Sequence, residues 1–119
     1  MKKIFYLSTC DTCRKIMKEI DFSGFEKQDI KTNPITTDQI NDLKNLAGSF
    51  EALFSRKARK YKELGLKDLN LTEQDFQHYI LSDYTFLKRP VVVVGDKIFI
   101  GSDKKNVEAL KEYISTSST

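Results

Sequence analysis

The two cysteines of the chain, Cys10 and Cys13, stand three residues apart in the stretch LSTCDTCRK, residues 7–15. That spacing suits a metal clip, a redox pair, or a nucleophile with a second thiol beside it. A structural zinc site calls for four ligands, commonly two such pairs. The only histidine, His78, lies far along the chain in a helical pattern with nothing at ligand spacing. No metal site is therefore expected, and His78 reads as an ordinary helix-surface or partly buried residue. A structural disulfide is disfavoured, because the ring it would close is small and a reducing compartment keeps such thiols open. Redox or nucleophilic use remains, set against two inert thiols, and the position of the pair favours use.

That position is a helix start. KIFYL (3–7) is short and nearly continuous in apolar character, the mark of a buried strand. From Thr12 onward, Cys13, Ile16, Met17 and Ile20 recur at three- and four-residue spacing, with Arg14, Lys15, Lys18 and Glu19 opposite. Ser23-Gly24 is expected to end this helix. Cys10 then falls near the N-cap, where unpaired backbone N–H groups and the positive end of the helix dipole favour a thiolate and can hold an oxyanion. Cys13 lies one turn in, with Cα atoms about 5 Å apart by helix geometry, a separation that permits a disulfide. Cys10 is thus the exposed attacker and Cys13 the optional resolving thiol.

The remaining elements set the frame. FEKQDI (25–30) is a second strand, and KTNPITTDQ leads to a helix capped by Thr36 or Thr37. Ile40, Leu43, Leu46 and Ala47 line its inner face, and Gly48 stops it. Residues 49–83 are helical and polar-rich, broken at Gly65 and Asn70, with Thr72 and Asp75 at capping-box spacing. RPVVVVGDKIFIG (89–101) is a hairpin turning at Gly95-Asp96. Ser102 or Asp103 caps a last helix, and STSST reads as a frayed tail. The order is β-α-β, a helical insert at about residues 36–83, then β-β-α. This predicts a single α/β domain over residues 1–119, a four-stranded mixed sheet in a thioredoxin-like layout. In such a layout the proline before the third strand is commonly cis and faces the cysteine loop. Pro90 holds that place, and Arg89 is expected to point toward Cys10.

Composition narrows the setting. An apolar share of 39% and a charged share of 31% suit a soluble globular domain. No run of about 18 apolar residues spans a membrane, and the four-residue run Ile4–Leu7 is too short for a secretory signal. A cytoplasmic location is expected. Net charge is +3, and the densest basic stretch, SRKARKYK (55–62), falls short of a nucleic-acid-binding stripe.

Four stretches carry a family resemblance: STCDTCRK, KTNPIT (31–36), LFSRKARKYKELGLKDLNLT (53–72) and FLKRPVVVVGDKIFIG (86–101). In this order they resemble the arsenate reductase (ArsC) family, which includes the Spx-type transcription regulators, over residues 1 to about 114. The resemblance implies a thioredoxin-like core with a helical insert. It implies that Cys10 attacks arsenate or a similar oxyanion, and that glutathione with glutaredoxin, or thioredoxin, supplies the reducing thiol. No bound cofactor is implied. Arg56 and Arg89 match two oxyanion-binding arginines of the family, and Thr12 and Arg14 join them at the helix start. The third family arginine has no counterpart, since Ile100-Gly101-Ser102 stands there. Arg14, Lys57 or Lys104 are the cations available to replace it. Cys13 is a second departure, because arsenate reductases of this type usually carry another residue there. The alternative implied is an Spx-like redox sensor that binds the RNA polymerase α subunit. A monomer without membrane or direct nucleic-acid partners is expected.

Overall fold

The computed structural model describes residues 1–117. In chain order the elements are β1 (Lys2–Tyr6), α1 (Asp11–Glu19), β2 (Glu26–Asp29), α2 (Thr37–Ala47), α3 (Arg59–Glu63), α4 (Glu73–Ser82), β3 (Val91–Val94), β4 (Lys97–Ile100) and α5 (Lys104–Ser117). Short 3₁₀ turns lie at Glu51–Leu53, Leu66–Asp68 and Tyr84–Phe86. The chain forms two compact units, Met1–Asp29 with the chain from Arg89 onward, and Ile30–Lys88.

The first unit holds a mixed sheet of order β2-β1-β3-β4. β1 runs parallel to β2, with Lys3 opposite Glu26, and antiparallel to β3, with Ile4 opposite Val92. β3 and β4 form the hairpin, with Val92 opposite Phe99. All four valines of β3 are buried, as a strand with a neighbour on each side and both faces covered requires. Ile4, Val92 and Val94 meet Ile16 of α1, Ile20 just past its end, Leu110 of α5, and Phe22 and Phe25. Phe22 and Phe25 pack edge to face at 5.2 Å. The mixed α/β sheet is the thioredoxin-like arrangement that the element order implies.

Several boundaries differ from the sequence expectation. β1 begins and ends one residue earlier than KIFYL. α1 ends at Glu19, and Ile20 already has extended backbone. Ser23-Gly24 instead forms a separate turn, in which Asp21 accepts the Ser23 N–H at 2.9 Å. The frayed tail is also corrected, because α5 continues through Ser117. Thr116 Oγ1 donates back to the carbonyls of Glu112 and Tyr113 at 3.0 and 3.1 Å, which suits a hydroxyl near a helix end. The last two residues of STSST lie outside the described residues.

The second unit is built on Phe54, fully buried. Its ring stacks on Phe86 at 5.3 Å and meets Phe76 at 4.9 Å and Tyr61 at 5.9 Å. Both longer helices start with a complete capping box, Thr36 with Gln39 and Thr72 with Asp75. The Glu73 carboxylate accepts the Phe50 and Glu51 N–H groups at 2.7 and 3.1 Å, capping a turn 22 residues upstream. Phe54→Ala removes the hub of this aromatic cluster. It is expected to cost about 3–5 kcal/mol of stability, read as a fall in the urea midpoint.

Candidate active site

The loop between β1 and α1 is fixed at both ends. The Cys10 N–H donates to the Leu7 carbonyl at 3.0 Å. Ser8 Oγ donates to Asp29 Oδ2 at 2.5 Å, joining the loop to the end of β2. Cys10 is the N-cap of α1, in extended backbone at φ −92° and ψ 117°, and its carbonyl accepts the Arg14 N–H at 3.1 Å. Its side chain makes no conventional capping bond. The half-buried sulfur instead lies beside the N–H groups that open the helix.

The two thiols are pushed in opposite directions. Partial burial raises the Cys10 pKa, but opposing influences outweigh it. These are the Cys13 N–H, the Cys13 thiol, the Thr12 N–H and the charge of Arg89, and together they hold Cys10 below its ordinary value. Cys13 is fully buried. Burial, with a smaller contribution from the adjacent Cys10, pushes its thiol up to about 11 against the lowering effect of the Leu7 backbone and Arg89. Cys10 therefore ionises at a lower pH than an ordinary thiol, while its neighbour holds its proton to higher pH.

Arg89 acts electrostatically on both sulfurs, so it is close to Cys10 and Cys13. The Arg89–Pro90 peptide bond is cis. The Pro90 carbonyl accepts the Gly101 N–H at 2.9 Å, and Asn106 Nδ2 donates to the Gly101 carbonyl at 2.8 Å. Gly101 sits at φ +93°, a conformation disfavoured for any residue with a side chain. The backbone at the place of the third family arginine therefore suits glycine.

The other site residues are placed less uniformly. Thr12 is exposed and contributes its N–H rather than its hydroxyl. Arg14 is more than half exposed and pairs with Asp11 on its own helix. Lys104 is exposed at the start of α5. Arg56 and Lys57 belong to the second unit. There Arg56 donates to Glu51 at 2.8 Å, and its guanidinium lies over the rings of Phe54 and Phe76 at 5.9 and 5.5 Å. The Glu51 hydrogen bond, with help from Tyr61, holds Arg56 above its ordinary pKa. Ser8, Asp29 and Glu51 did not stand out in the sequence. Their partners lie 21 residues away for the Ser8–Asp29 pair, and five for Glu51–Arg56, outside the three- and four-residue helical spacings. Among the described residues no group of three or more His, Cys, Asp or Glu side chains could hold a metal ion. None of their helices is long and apolar enough to cross a membrane.

A family model described as the ArsC family matches residues 5–110. An arsenate reductase of Neisseria meningitidis is 28% identical over 112 residues, covering 91% of this chain and 96% of that protein. The global transcriptional regulator Spx of Streptococcus pyogenes is 22% identical over 115 residues, covering 92% of this chain and 84% of that protein. A solved structure from Yersinia pestis superposes with a TM-score of 0.76 over 94% of this chain and 99% of that chain. Its 22% identity makes it a likeness of fold.

Proposed function

The chain belongs to the ArsC family, and from that premise we propose that it is a cytoplasmic thiol-dependent oxidoreductase acting on a small oxyanion such as arsenate. The observation that carries this reading is the placement of Cys10 at the N-cap of α1, its pKa lowered beside Arg89, one turn from a buried thiol. A thiolate at a helix N-terminus is both a nucleophile and the neighbour of an anion-binding end.

In the proposed cycle the Cys10 thiolate attacks arsenic(V), an S–As bond forms, and an arsenate oxygen leaves as water after protonation. A second thiol then attacks Cys10 Sγ. An S–S bond forms, the S–As electron pair returns to arsenic, and arsenic(III) departs. Arg89 supplies charge-assisted hydrogen bonds that a desolvated oxyanion needs, and Arg56 is the residue that matches the family's other oxyanion-binding arginine. The second thiol is glutathione or Cys13. With its pKa raised to about 11, Cys13 is almost wholly protonated at neutral pH. Part of that elevation comes from Cys10 itself. Capturing the Cys10 charge in an S–As bond therefore favours ionisation of Cys13 after substrate engagement rather than before it. Glutathione with glutaredoxin, or thioredoxin, returns the enzyme to the dithiol.

The test is arsenite formation by the purified chain supplied with arsenate and either donor. Arsenate-dependent turnover supports the reading, and its absence with every donor contradicts it. Cys13→Ser is expected to retain turnover with glutathione and glutaredoxin, but to lose at least about tenfold with thioredoxin, which reduces an internal disulfide. The second cysteine, and the glycine at position 101 where the resemblance implies that Spx-like members also carry one, favour one further reading, an Spx-like sensor. In that case oxidation of the pair would change binding to the RNA polymerase α subunit, and a pull-down of α by the oxidised and reduced chains separates the two.

A further inference from the structure

Beyond Arg56 and the candidate Lys57, the basic stretch 55–62 is given no part in the proposed thiol chemistry, yet its surroundings form a groove. A cavity of about 670 Å³ opens along α3 in the second unit. Cavities of about 300–1,000 Å³ are the size of small-molecule sites. Arg56, Lys57, Arg59, Lys62 and Lys67 line it, against two carboxylates, Glu63 and Asp68. Arg56 is paired with Glu51. Among the described residues, Lys57, Arg59, Lys62 and Lys67 have no carboxylate within ion-pair distance. Four cations gathered around one concavity repel each other, and a multivalent anion relieves that repulsion. The groove also has an apolar wall. Tyr61 lines it, with its ring backed by the buried Phe54 at 5.9 Å. A side chain so supported offers a fixed surface for a flat ring. At Gly65, also in the lining, no atom lies within 4 Å of where a Cβ would sit, so this end is open.

We propose that this groove binds a small organic polyphosphate of the nucleoside diphosphate type. The phosphates lie among Lys57, Arg59, Lys62 and Lys67, and the base rests against Tyr61. Arginine favours phosphate through its planar fork of donors, and lysine acts as a mobile point charge. The proposal is independent of the oxyanion reaction, and it predicts binding by the Cys10→Ser chain as well as by the unaltered one.

The experiment is calorimetric titration of the full chain with ADP, pyrophosphate and adenosine at about 0.15 M salt, where exposed long-range attraction is screened. ADP is expected to bind at one site per chain and more tightly than either fragment. Arg59→Gln with Lys62→Gln is expected to weaken it about a hundredfold, tenfold for each charge-assisted hydrogen bond removed. Both side chains are exposed, so the thermal melt of the variant should match that of the parent. Lys105→Gln, on α5, should leave the affinity unchanged. The proposal is overturned if ADP fails to saturate a site or if pyrophosphate binds as tightly as ADP. It is equally overturned if Lys105→Gln weakens binding as much as the groove variant, which would mark a general charge effect. Binding of an acidic peptide to the groove without ADP binding also overturns it.

Discussion

Cys10→Ser is expected to lower arsenate-dependent turnover by about a thousandfold or more, to the level of the donor thiols alone. A serine hydroxyl stays protonated far above the pH at which a thiol at a helix N-cap ionises, and it is a much weaker nucleophile. Cys10 is the N-cap residue and its side chain is not a conventional cap, so the substitution should not weaken the helix start. Serine is in fact a favoured residue at such a position. The thermal melt should therefore hold or rise while activity disappears. That combination separates a chemical role from a structural one. It is read by arsenite formation and by circular dichroism on the same preparation.

Arg89→Ala carries the second large effect, through two routes. Arg89 lowers the pKa of Cys10, so its removal should shift the acid limb of the kcat/KM profile to higher pH. It is also proposed to hold the oxyanion. Loss of one charge-assisted hydrogen bond costs about 1.5–3 kcal/mol, and one pKa unit corresponds to about 1.4 kcal/mol. Together these predict a fall in kcat/KM of about a hundredfold or more near neutral pH, partly recovered as pH rises and Cys10 ionises unaided. The sign is fixed by chemistry. A cation favours the thiolate, so its loss makes the thiolate scarcer below the new pKa and leaves it unchanged well above. Arg89→Lys should restore the pH limb more fully than the affinity, because lysine supplies the charge without the bidentate fork.

Local signals made much of this legible in the sequence. Four valines, Gly95-Asp96 and KIFI place the β3–β4 hairpin through strand and turn chemistry confined to residues 91–100. Thr72 with Asp75 announces a helix start through side-chain bonds three residues long, whereas at α2 the sequence left Thr36 and Thr37 as alternatives and the structure selects Thr36 with Gln39. Cys10 at the start of α1 could be read for the same reason, since the apolar spacing behind it fixes where the helix begins. The parallel pairing of β1 with β2 came from the β-α-β order, whereas the pairing of β1 with β3, which joins segments as distant in sequence as Lys2 and Val94, is read from the structure. Ser8 with Asp29, Glu73 with the turn after Phe50, and Glu51 with Arg56 have no such local signature. Each joins polar groups whose meeting is decided by packing elsewhere. The tail STSST misled because serine and threonine are modest helix formers. The helix nevertheless continues to Ser117, with the Thr116 hydroxyl bonded back to the preceding turn. Gly101 is the instructive middle case. The absence of an arginine was visible at once, but its left-handed backbone was not.

The difference between the two thiols is what the proposed chemistry rests on, and alkylation by iodoacetamide as a function of pH measures it most directly. At neutral pH, Cys10 should be labelled at least about a hundredfold faster than Cys13. The Cys10 rate should rise with a midpoint below the ordinary thiol value, and Cys13 should stay protected in the folded chain until pH approaches about 11. Equal and slow labelling of both cysteines at neutral pH, or faster labelling of Cys13, would contradict it.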